Sequence, residues 1–102
     1  MKGIRMETIF SIHQVFRYKN HVIRAEKRSL FYTMEYSLII DDVKQDQIKG
    51  LYGILILHGM LNDNGHQKPL KVIVKQTIFT SKFYCKIDGE IHKMSKFKLD
   101  EV

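Results

Sequence analysis

Apolar side chains recur at every second position from Leu30 to Ile40: Leu30, Tyr32, Met34, Tyr36, Leu38 and Ile40, with Thr33, Glu35 and Ser37 between them. Helical spacing from Leu30 captures only three apolar positions of six, so this segment is predicted as a strand. Residues 70–80 alternate too, with Leu70, Val72 and Val74 against Lys71, Ile73 and Lys75. Residues 50–58, GLYGILILH, are apolar on both faces. That predicts a central strand covered on both sides, with Gly53 at a bulge or bend. METIFSIHQVFRY (6–18) suits a strand through Met6, Phe10, Ile12, Phe16 and Tyr18, or a helix through Ile9, Ile12 and Phe16; strand is preferred. Lys19-Asn20 then turns the chain into a short, charged, edge-like strand, HVIRAEKR.

The punctuation between these runs completes the layout. In DDVKQDQIKG (41–50), Asp42 stands three residues before Gln45 and Gly50 closes the segment. This is capping-box spacing with a left-handed exit, and predicts a short helix near 42–49. LNDNGHQKP (61–69) reads as a polar loop, tightest at Asn64-Gly65. Asp88-Gly89, in FYCKIDGEIHKM, signals a two-residue type I′ hairpin. Folding about it opposes Ile87 to Glu90, Lys86 to Ile91 and Cys85 to His92. The expectation is one domain over 1–102, all-β or β-rich α+β. Its architecture is a small antiparallel barrel or a strongly twisted sheet of six to seven strands, with the one short helix. The first six elements follow the order of an OB-fold; a meander closed as a small barrel fits as well.

Charge changes the picture more than composition does. The 102 residues carry a net charge of +6, which invites an anionic partner; the abundance of lysine and isoleucine also fits an AT-rich coding bias. The charge is segregated. Residues 29–66 hold two lysines against five acids, while 67–102 hold eight lysines against four acids. Arg17, Lys19, Arg24, Lys27 and Arg28 face only Glu26 in 17–28. A lone cysteine excludes an internal disulfide and fits a reducing compartment. The N-terminus lacks the apolar core of a leader, and GLYGILILHGML is shorter than the roughly 20 residues a spanning helix needs. The sequence therefore reads as cytoplasmic, with no membrane partner.

Candidate chemistry is sparse. Cys85 and His92 share a hairpin face, but Phe83, Ile87 and Met94 lie on it too, so packing explains them better than a nucleophile or a metal. His58, His66 and Asp63 flank one loop, and Asp41, Asp42 and Asp46 cluster, without the spacing of a metal site. No phosphate-cradling loop or nucleophile elbow is present. The expectation is a protein that is not an enzyme and has no cofactor and no metal.

The basic surface is the lead. If 70–80 and 83–94 are neighbouring strands, Lys71, Ile73 and Lys75 share one face, and Tyr84, Lys86, Ile91 and Lys93 another. Should these coincide, lysines would neutralise phosphates while a base stacks on Tyr84. Arg17, Lys19, Arg24, Lys27 and Arg28 would extend that path, and Lys96, Phe97 and Lys98 would carry it into the tail. The function expected is binding of single-stranded nucleic acid through its phosphates, with little sequence preference. Two alternatives stay open: a protein-interaction module or inhibitor docking an acidic partner, and a small barrel holding an apolar ligand. Homodimerisation through sheet edges is compatible with all three.

Overall fold

The computed structural model describes residues 8–30 and 32–96. Among them the chain forms nine strands and no helix: β1 (Thr8–Tyr18), β2 (His21–Leu30), β3 (Met34–Ile40), β4 (Val43–Gly50), β5 (Gly53–Asp63), β6 (His66–Gln76), β7 (Ser81–Ile87), β8 (Glu90–Lys93) and β9 (Ser95–Lys96). They build two antiparallel sheets, in the orders β4-β3-β2-β1-β9 and β5-β6-β7-β8.

The meandering order follows from the turns. Asp41-Asp42, Asn64-Gly65 and Asp88-Gly89 all take positive φ, which a type I′ hairpin requires and which Asp, Asn and Gly tolerate best. Around Asp88-Gly89 the register is the one the sequence predicts, with Cys85 opposite His92 and Lys86 opposite Ile91. The 61–69 segment is no long loop. β5 continues to Asp63 and β6 starts at His66, so only Asn64-Gly65 lies between them.

Residues 42–49 are not a helix. Asp41 and Asp42 are both left-handed, so they spend themselves on a hairpin turn and Val43 already opposes Ile40. The Asp41 carboxylate accepts hydrogen bonds from the Val22 N–H (2.9 Å) and from His21 Nδ1 (2.6 Å), and the Asp42 side chain lies in solvent. Without that helix the OB-like order falls away.

Nor does the sheet close as a barrel. β4 and β5 share no ladder; side chains of β4 reach across instead. Asp46 Oδ2 accepts from the His58 N–H (2.8 Å) and Gln45 Oε1 from the Met60 N–H (3.5 Å). These two contacts satisfy donors that an edge strand otherwise exposes. On the opposite side the chain itself joins the two sheets. Met94 is buried, donates its N–H to Phe83 O (2.9 Å), and passes the chain from β8, which pairs with β7, to β9, which pairs with β1.

Two sequence readings change with this topology. Residues 30–40 split: Leu30 ends β2, its N–H bonding Thr33 O at 2.8 Å, and Tyr32 points into solvent. β5 is an edge strand, not a central one, and its second apolar face is open. The ambiguous 6–18 segment is a strand from Thr8 on; Met6 lies outside the described residues.

Between the sheets lie Ile23, Ala25, Tyr36, Leu38 and Ile40 from one side and Leu57, Leu61, Leu70, Val72, Val74, Phe83, Cys85 and Ile87 from the other. Each large side chain buried here contributes about 1.5–3 kcal/mol. The sheets approach closely at Gly59, where a β-carbon would stand 2.8 Å from Leu38 Cδ2 and 3.0 Å from Ile40 Cδ1. One end of this interior is polar. Tyr36 OH donates to Gln76 Oε1 (2.5 Å), Ser81 Oγ donates to the same oxygen, and Lys27 Nζ donates to Ser81 Oγ (2.6 Å). No helix among the described residues is long and apolar enough to cross a membrane.

Candidate functional site

Alternation along β5–β8 turns one set of side chains into the core and lays the other on an outer face. Register fixes that outer set as a grid. Ile54, Lys75 and Lys82 form one row; Ile56, Ile73, Tyr84 and Lys93 the next; His58, Lys71, Lys86 and Ile91 the third. Five lysines thus stand within three rows, with no Asp or Glu among those residues. Neighbouring strands are about 4.8 Å apart and successive rows about 6.8 Å, so the ammonium groups spread over the three strands β6, β7 and β8. Between them the face is apolar and open: Ile54 is 66% exposed and Ile91 60%. Water contact at isoleucine is unfavourable, so this face gains by being covered.

Tyr84 sits in the middle row, half-buried, with Lys75 Nζ 5.3 Å from its ring centre. An exposed cation–π contact contributes about 0.5–1 kcal/mol, less than the roughly 1–3 kcal/mol of a stacked base. The ring is therefore held in place without being blocked. At one end of the grid, His58, Met60, Pro69, Lys71, Lys86 and Asp88 border a surface concavity of about 480 Å³.

The structure thus brings Lys71, Lys75, Tyr84, Lys86 and Lys93 onto one face and adds Lys82. The sequence reading left Lys82 out, although it lies two positions from Tyr84 in the same alternation. The remaining predicted residues are elsewhere. Arg24 and Arg28 lie on the outer face of the five-stranded sheet, across the core, among acids. Arg28 pairs with Glu35 (3.0 Å) and Arg24 approaches Asp42 (3.9 Å). Lys27 is not on the surface at all. It is 6% exposed and points between the sheets, because β2 residues of its parity (Ile23, Ala25) face inward; burial lowers its pKa. Phe97 and Lys98 lie outside the described residues, and Lys96 pairs with β1 in the other sheet.

A second charged cluster closes the turn end of the molecule. Tyr18 OH donates to Asp88 Oδ2 (2.7 Å), and Lys68 Nζ bonds both Tyr18 OH (2.8 Å) and Asp88 Oδ2 (3.1 Å). Asp63 receives Lys19 (2.8 Å) and Lys68 (3.2 Å). The Tyr18 hydroxyl and then Lys68 hold the Asp88 carboxyl below its ordinary range, and Lys19 and then Lys68 do so for Asp63. The two lysines and two aspartates balance, so this cluster fastens three turns together and leaves no charge over for a ligand.

Cys85 is fully buried and burial pushes its thiol up to about 11. His92 stacks on Phe16, ring centres 4.6 Å apart. A thiol held protonated is a poor nucleophile, so Cys85 packs in the core while His92 packs the hairpin onto Phe16 of β1. Compared with known proteins, the chain matches no family model, no curated protein and no solved structure.

Proposed function

We propose that the outer face of β5–β8 binds single-stranded nucleic acid, with little sequence preference. The observation that carries this reading is the grid itself: Lys71, Lys75, Lys82, Lys86 and Lys93 surround Tyr84 and exposed isoleucines. Phosphates pair with the ammonium groups, and an unstacked base covers the tyrosine ring and the apolar side chains beside it. Lysine, a flexible point charge, suits phosphate better than base edges, which favour the planar fork of arginine. Arg24 and Arg28 are on the other sheet, near Asp42 and paired with Glu35 respectively, so base-edge reading gains no support from them.

An acidic protein partner is the second reading, supported by the same charge together with the open apolar side chains of β5. The two separate on one experiment. Lys71→Glu/Lys86→Glu protein is compared with wild type for binding of a labelled oligothymidylate at 50 mM salt, with thermal unfolding as the folding control. Loss of binding in a folded variant supports the nucleic-acid reading. Wild type that does not bind the oligonucleotide at 50 mM salt overturns it.

A further inference from the structure

At the end of this sheet where β5 begins, two large aromatic side chains stand in solvent on facing loops: Tyr52, 68% exposed, and Phe79, 92% exposed. With Ile78, Thr77 and Gln76 they border a cleft of about 460 Å³, within the roughly 300–1,000 Å³ of small-ligand sites. The turn that presents Phe79 is pinned. Thr77 N donates to Thr80 O (2.8 Å), Thr80 N donates to Thr77 Oγ1 (2.9 Å), and the two hydroxyls are 2.9 Å apart. Gln76, beneath it, is 4% exposed and bonded to Tyr36 and Ser81. These bonds fix the base of the turn that carries Phe79, and both rings stay in solvent.

Charge tells what such a cleft receives. The register row next to the cleft is Gly53, Gln76 and Ser81, and one residue further along β6 and β7 Lys75 opposes Lys82; among the described residues no Asp or Glu borders the cleft. An apolar cleft bordered by two exposed rings, with Lys75 and Lys82 one residue away along β6 and β7, fits a flat, uncharged ring attached to an anionic backbone. We infer that the Tyr52–Phe79 cleft is a second base-binding subsite, stacking an unpaired nucleobase of a strand whose phosphates lie on Lys75 and Lys82. This rests on the function proposed above and adds to it a polarity: the strand crosses Tyr84 and leaves the protein between the two loops.

The test is binding of a fluorescein-labelled 15-nucleotide oligothymidylate at several salt concentrations by wild type, Tyr52→Ala/Phe79→Ala and Tyr52→Phe. Removing a stacked base weakens affinity roughly 5- to 100-fold, so the double variant is expected in that range with an unchanged salt slope, and Tyr52→Phe within about two-fold of wild type. Wild type that binds while the double variant binds equally well overturns the subsite and leaves the lysine face standing. Wild type that does not bind at 50 mM salt removes both. As a readout independent of any variant, wild type is irradiated with an oligonucleotide carrying 4-thiothymidine. Adducts in the segments 51–53 or 77–80 support the subsite, and adducts confined to the segment around Tyr84 overturn it.

Discussion

Replacing Lys27 by methionine is expected to stabilise this protein and leave nucleic-acid binding untouched. The Lys27 ammonium lies between the sheets, 6% exposed, and its hydrogen bond goes to a neutral group, Ser81 Oγ at 2.6 Å. Burying an ammonium costs several kcal/mol after relaxation, while a hydrogen bond from a charged group returns about 1.5–3 kcal/mol. Methionine keeps the length and flexibility of the side chain and discards both terms. Ser81 Oγ keeps its bond to Gln76, so no orphan is created there. The net gain is about 1–3 kcal/mol at pH 7, a rise in Tm of about 4–8 °C for each kcal/mol in a chain of this size. The sign of the pH dependence follows from the lowered pKa. The unfolded state binds the proton more tightly, so wild-type stability rises with pH as the buried amine loses its proton. The destabilisation is fully present below the folded pKa and relieved as pH climbs toward 10.5, the ordinary lysine value. The advantage of Lys27→Met should therefore shrink between neutral and strongly alkaline pH. Thermal unfolding across pH 7–10, with oligonucleotide affinity measured alongside, checks this. A lower Tm at pH 7, or an affinity that falls with the substitution, would refute the placement of this side chain.

Other consequences are as concrete. Gly59→Ala forces a methyl group against Leu38 and Ile40 and is expected to cost about 1–3 kcal/mol; an unchanged Tm would mean the sheets are not packed as described. Asp63 and Asp88 have lowered pKa values, so the stability they supply is present above about pH 4 and lost as pH falls below it. The Tm–pH profile of Asp63→Asn/Asp88→Asn should consequently be flatter than wild type below pH 4, and parallel profiles would contradict the network. Cys85, buried with its thiol near 11, should resist a thiol reagent at pH 8 in native protein and react fully in denaturant; rapid native labelling would reopen the question of its reactivity.

The sequence made some of this legible for physical reasons. A two-residue turn with a steric signature, Asp88-Gly89, sets the register of everything around it, and so Tyr84 and its lysines could be placed on one face before the fold was known. Asp41-Asp42 makes the same kind of turn, yet its dipeptide is equally good at opening a helix, and the polar stretch behind it had no apolar period to decide between the two. The direction of Lys27 was lost for another reason. Its parity on β2 matches Ile23 and Ala25, but a lysine in an apolar alternation is read as surface unless the neighbouring sheet is known to cover it. The open face of β5 was misread because an apolar-on-both-sides strand suits a covered position, whereas here Ile54 and Ile56 stand exposed.

The salt dependence of binding to oligothymidylate tests the central claim most directly. Five lysines on one face, each neutralising a phosphate of a single strand, give a slope of log affinity against log salt of about −3.5. Between 50 and 300 mM salt, affinity should drop roughly 500-fold for wild type. With Lys71→Gln/Lys86→Gln the slope should move to about −2. An affinity that stays level over that range, or a slope that these two substitutions leave unchanged, would contradict the assignment of the lysine face.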